Sequence, residues 1–178
     1  MTRHEDDGAF IPAVRIFPLC EGEEQSRHMT HEFIEKLADP IQIKQVMANA
    51  LRKGDAEAYN RAFRRFCSVT GATHDDPDDS LVRAFWETLA AYEMLLAEKH
   101  GRTQPAGYTR RKVKEQGVLR CLVDWANATG PTVGFNLLVE KGMWELTGEA
   151  LVLRYADRFD GNTVSNARKR LEKAGVRA

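Results

Sequence analysis

The sequence predicts an all-α fold: one bundle-like domain of about seven to nine helices behind a short irregular or extended N-terminal segment. Three observations predict it. From Thr30 onward, apolar residues recur at i, i+3, i+4 and i+7 in one segment after another. Glycine or proline stands where most of these stripes end. Little of the chain alternates with the period of two that a half-buried strand needs.

The first 29 residues stand apart. "GAFIPAVRIFPLC" carries Pro12 and Pro18 with strand-like residues between them, which disfavours a long helix and allows an extended segment. "EGEEQSRH" reads as linker, and residues 1–29 are expected to be loosely held. The helical domain is expected over residues 30–178.

Phe33, Ile34 and Leu37 then mark a short helix with Thr30 as candidate N-cap, stopped before Pro40. Ile43, Val46, Met47 and Ala50 form the stripe of the next, which Gly54 ends. Asp55 is placed to cap a third, lined by Tyr59, Ala62, Phe63 and Phe66 and followed by Gly71. "HDDPDD", His74 to Asp79, is an acidic turn into a long helix whose stripe is Leu81, Phe85, Leu89, Tyr92 and Leu96. That helix, Ser80–His100, is expected to be the central support, and Gly101 ends it.

"RTQPAG", residues 102–107, is the clearest internal break and a candidate sub-division. Shorter helices are expected beyond it: Arg110–Gln116, Leu119–Asn127, one after Pro131, one from Thr147 to Phe159, and one from Thr163 to Lys173. "TRRKVKEQGV" (109–118) is echoed by "ARKRLEKAGV" (167–176), two basic helices ending in Gly-Val. Ordinary C-terminal capping can produce that similarity.

The chain of 178 residues is 43% hydrophobic and 29% charged, enough to bury a core. No apolar run approaches the ~20 residues of a membrane span, so no membrane partner is expected. "MTRHEDDGAF" lacks the apolar stretch of a secretory signal. Cys20, Cys67 and Cys121 form no CxxC, and three reduced thiols in a cytoplasmic protein are expected. Net charge is zero, which disfavours nucleic-acid binding by charge spread over the whole surface. Acid and base nevertheless alternate in blocks. Residues 75–100 carry net −5 and residues 101–125 net +4, so blocks pair within the fold, between copies or with a partner.

The candidate sites are basic. With Thr109 as N-cap, Arg110, Arg111 and Lys112 would crowd the first turn of a helix against its dipole. The same placement sets cations beside unpaired backbone N–H groups, which is how an anion site is assembled. Arg102, Tyr108, Arg110, Arg111, Lys112 and Lys114 are therefore candidate anion- or nucleic-acid-binding residues. The alternative is that these charges are solvated or pair with Asp75–Asp79. In the last helix, Val164, Ala167 and Leu171 make an apolar seam and leave Ser165, Asn166, Lys169, Arg170 and Lys173 on other faces.

"ALVLRYADRFDGNTVSNARKRLEKAGV", Ala150–Val176, resembles the helix-turn-helix half of winged-helix transcriptional regulators over about 27 residues, with no whole-chain family match. The resemblance implies that Thr163, Ser165, Asn166, Lys169 and Arg170 face a DNA groove, with Val164 and Leu171 in the core.

Other chemistry is weakly signalled. His28, His31, Glu32 and Glu35 lack metal-site spacing, and "HDDPDD" lacks the order of a calcium loop. No GxSxG, P-loop or GxGxxG occurs, so no catalytic set, metal or cofactor is expected. Trp125 and Trp144 read as core or half-buried residues, Trp144 as an alternative loop anchor. The expected function is a small non-enzymatic regulatory or adaptor protein that binds a macromolecular partner through its basic helices, with nucleic acid, DNA or RNA, slightly preferred. A protein partner or a second copy of the chain is the alternative, and an enzyme with a site visible only in three dimensions the third.

Overall fold

Aspartate and threonine side chains set where the helices begin. In the computed structural model, which describes residues 32–74, 76 and 79–176, the carboxylate of Asp39 accepts from the Ile41 N–H and starts α1, Pro40–Lys53. Asp55 caps α2, Ala56–Ala72, through the Ala58 N–H, and Asp79 caps α3, Ser80–His100, through Leu81. Thr132 caps α5, Val133–Glu140, and Thr147 caps α6, Gly148–Arg154. Asp160 caps α7, Gly161–Lys173. Each satisfies a backbone N–H that the helix itself leaves unpaired. Gly54 and Gly101 end α1 and α3 at φ values of +70° and +66°, a left-handed conformation that costs glycine nothing.

The all-α expectation holds: there is no strand among the described residues. Residues 32–36 form a helical turn that stops before Pro40. Thr30, His28, His31 and Cys20 lie outside the described residues, as do the other expectations for residues 1–29 and the Asp75, Pro77 and Asp78 part of the acidic turn.

Three local expectations need correction. Gly71 does not follow the third helix but lies buried inside it. A Cβ there would stand 2.5 Å from Glu87 Cγ and 3.0 Å from the Glu87 backbone nitrogen, so glycine is what lets α2 and α3 approach. Thr109 is not an N-cap, because α4 starts earlier and spans Gly107–Asn127. Arg110–Gln116 and Leu119–Asn127 are its two arms, broken at Gly117, where φ is +82°. The helix expected over Thr147–Phe159 ends at Arg154, followed by a 3-10 turn, Ala156–Arg158. Trp144 sits half-buried in another 3-10 turn, Trp144–Leu146.

The core has two lobes, and α3 belongs to both. Ile43 and Met47 of α1 and Ala62, Phe63 and Phe66 of α2 gather around Ala91 and Leu95 in the C-terminal half of α3. Leu81, Phe85 and Leu89 in its N-terminal half pack with Cys121 and Leu122 of α4, Leu151 and Val152 of α6, and Ala167 of α7. Phe85 is fully buried and stacks on Trp125, their ring centroids 5.3 Å apart. Burial pushes the Cys67 thiol well above its ordinary pKa and also raises that of Cys121.

Phe85→Ala removes a fully buried ring from the lobe that carries the site. It is expected to cost about 3–5 kcal/mol in urea denaturation. A loss below about 1 kcal/mol would mean that this lobe is not packed around Phe85.

Candidate functional site

The C-terminal lobe brings α4, α6 and α7 together around one guanidinium. Arg170 reaches from α7 to the C-terminal end of α4, where helix carbonyls have no intrahelical partner. It donates Nη1 to the Trp125 carbonyl and Nη2 to the Ala128 carbonyl at 2.6 Å. Nη1 also donates to Glu149 Oε1 at 2.8 Å. Both side chains are nearly out of water, with 12% and 2% exposure for Arg170 and Glu149. Burial raises the Glu149 pKa above the ordinary carboxylate value, against the pull of Arg170.

A second polar cluster pins the start of α7. The Thr163 hydroxyl donates to Asp160 Oδ2 at 2.6 Å and accepts from Asn127 Nδ2 at 2.9 Å. Asn127 Oδ1 in turn accepts from Asn166 Nδ2 at 2.8 Å. The Thr163 hydroxyl and backbone N–H hold the Asp160 carboxyl below its ordinary pKa.

The sequence-selected residues therefore divide. Thr163 is fully buried and Arg170 is pinned, so neither faces outward as the helix-turn-helix resemblance implies. Ser165 is half-buried. Asn166, Lys169, Arg170 and Lys173, at i, i+3, i+4 and i+7, line one open cleft of about 510 Å³. Its other wall is the α4–α5 loop, Ala128 to Pro131, with Phe135 and Asn136 of α5. No acidic residue among the described residues lines it.

Two cations of the other basic cluster, Arg110 and Lys112, are committed inside the fold. Arg110 grips Glu93 with two hydrogen bonds of 2.7 Å and lies over the Trp86 ring, 5.4 Å from its centroid. Glu93 Oε1 also accepts the Ala106 N–H at 2.7 Å, so this carboxylate anchors the entry to α4 and explains its early start. Lys112 donates to Asp124, with the Lys112 side chain 16% exposed. Pairing with an acidic block, one of the two outcomes expected for these charges, applies to Arg110, but its partner is Glu93 rather than Asp75–Asp79. Asp79 is instead held by Arg158, at 3.0 and 3.2 Å. Arg102, Tyr108, Arg111 and Lys114 remain exposed.

Sequence reasoning missed Glu149, Asn136 and the 128–131 loop. Glu149 had one visible signal, an acid two residues after a capping threonine within an otherwise apolar helix. Among the described residues no group of three or more His, Cys, Asp or Glu is placed to hold a metal ion. No helix among them is long and apolar enough to cross a membrane. Comparison with protein-family models, curated proteins and solved structures found no significant match to the chain.

Arg170→Ala would strand the Glu149 carboxylate in the core, at an expected cost of about 3–5 kcal/mol at neutral pH. With its folded pKa raised further, Glu149 favours the folded state only below the ordinary value of about 4.3 and loses that contribution as pH rises through the folded value. The deficit of the variant should therefore grow from pH 4 to pH 8 in denaturation curves. The double variant Glu149→Leu/Arg170→Met should recover most of the loss. A deficit that is flat with pH, or unrecovered in the double variant, would assign the cost to the broken carbonyl hydrogen bonds instead.

Proposed function

We propose that the protein is a non-enzymatic regulatory or adaptor protein whose α7 cleft binds the phosphate backbone of a nucleic acid. The supporting observation is the cleft itself. Lys169 and Lys173 supply charge, Asn136 and Asn166 supply amides, and no carboxylate among the described residues opposes them. Arg170 stiffens the wall from behind through three hydrogen bonds, to the carbonyls of Trp125 and Ala128 and to Glu149. The basic stripe faces the α4–α5 loop instead of standing clear on an outer face. Such a cleft suits a single strand or a backbone segment, held by phosphate contacts that carry little sequence information.

The second reading, a protein partner or self-association, has one observation in its favour. Ile41 and Leu51 of α1 are 78% and 60% exposed. Light scattering at two protein concentrations, with Ile41→Lys/Leu51→Lys alongside, would register it as a concentration-dependent mass that the variant abolishes.

Binding of a single-stranded oligonucleotide should weaken steeply with salt. Lys169→Ala/Lys173→Ala leaves two phosphates without a neutralising cation, so the slope of log K against log salt should become shallower by about 1.4. The weakening should be similar for oligonucleotides of different sequence. A variant that binds like the parent, or binding insensitive to salt, would sink the proposal.

A further inference from the structure

Glu149 also lines a second concavity, distinct from the basic cleft and more enclosed, of about 300 Å³. Leu89 and Tyr92 of α3, Trp125 of α4 and Phe135 and Leu138 of α5 supply apolar and aromatic walls. Tyr108, 73% exposed, also borders it.

Two glycines hold this space in shape. A Cβ on Gly148 would stand 2.5 Å from Trp125 Cε3, and one on Gly134 would stand 3.1 Å from Tyr92 Cδ2. The Trp125 ring thus lies between Phe85 and the bare backbone at Gly148, and the Tyr92 ring lies against Gly134. Both rings are fixed before any ligand arrives, which lowers the cost of binding.

The polar groups point the same way. Thr88 lines the cavity, is 4% exposed, and its hydroxyl is the buried side-chain polar atom without a hydrogen-bond partner among the described residues. An unpartnered hydroxyl in an apolar setting costs stability, and valine would occupy the same volume without that cost. Glu149 adds a carboxylate whose charge Arg170 balances. Burial raises its pKa above the ordinary carboxylate value, against the pull of Arg170. Flat apolar walls with a hydroxyl and a carboxyl group disfavour an anion and suit a neutral planar ring system that can donate a hydrogen bond.

We propose that this cavity is a small-molecule site for a neutral planar heteroaromatic compound of one or two rings, its N–H donor met by the Thr88 hydroxyl and the Glu149 carboxyl group. Indoles and nucleobases share that chemistry. The site does not depend on nucleic-acid binding at the α7 cleft, although the Glu149–Arg170 pair joins the two.

The test titrates the full chain at neutral pH with indole, with adenine, and with indene, which has the shape of indole without the N–H. Calorimetry reads affinity, and amide chemical shifts read location. One-site saturable binding of indole or adenine is expected, with shifts concentrated at Gly134 and Gly148. Saturation by indole alone assigns an indole-like ligand, and saturation by adenine alone a nucleobase-like one. Indene should bind about tenfold more weakly than indole where indole is the ligand. Thr88→Val should melt at a higher temperature than the parent yet bind the saturating probe about tenfold more weakly. The proposal is overturned if neither indole nor adenine saturates a site by millimolar concentration. It is equally overturned if indole saturates and indene matches it, or if Thr88→Val binds the saturating probe as the parent does. Should Thr88→Val fail to fold, the titrations on the parent chain decide.

Discussion

The C-terminal half of the protein depends on one buried charge pair. Arg170 and Glu149 meet at 2.8 Å with almost no access to water. Taking two ions out of water is costly, and their mutual attraction offsets that cost only when the remaining donors are satisfied. Here the guanidinium donates two further hydrogen bonds, to the carbonyls of Trp125 and Ala128 at the end of α4 and just beyond it. One side chain from α7 thereby closes the C-terminus of α4, neutralises an acid on α6 and fixes where α7 sits. Arg170 borders the basic cleft and Glu149 the aromatic cavity, so the pair is shared between the two walls.

The remaining architecture follows from a long helix shared by two lobes. Leu81, Phe85 and Leu89 serve the C-terminal lobe and Ala91 and Leu95 the N-terminal one, which makes α3 the common wall. Much of the block pattern of charge is spent holding these parts together. Glu93 takes Arg110, Asp79 takes Arg158, and Glu98 takes Lys141 and the Tyr59 hydroxyl. Desolvation and that hydrogen bond to Glu98 together push the Tyr59 pKa up. The zero net charge thus conceals a division of labour. Arg110, Lys112 and Arg170 are structural cations, and Lys169 and Lys173 are left to face solvent in the cleft.

Most of the fold was legible because helix physics is local. The stripes of Ile43, Met47 and Ala50 and of Leu81, Phe85 and Leu89 are buried as their spacing predicts. Asp55 and Asp79 cap where an acid precedes a stripe. The errors arose where a distant group decided the outcome. Thr109 is not a cap because Glu93, sixteen positions earlier, organises the entry to α4. Gly71 looks like a stop signal, but the close approach of Glu87 makes it an interior residue. For the site, Lys169, Lys173 and Asn166 were readable from composition and spacing. Thr88 was not, because a threonine within a helix signals nothing until its neighbours are known, and the one local signal at Glu149 did not show that Arg170 would be its partner.

By itself the sequence determined most of the helices, the caps at Asp55 and Asp79 and most of the faces the helices bury, since periodicity and capping are settled within a few residues of each position. It also limited the basic candidates to two segments. Only the tertiary structure decided which of those cations are spent. Arg170 and Lys169 are adjacent in the chain and have the same charge. Their separation of about 100° around α7 puts one against the carbonyls of α4 and leaves the other in the open cleft. The positions of Glu149, Trp125 and the α4–α5 loop, which draw that distinction, depend on hydrogen bonds spanning 21 to 45 residues. No local pattern encodes them.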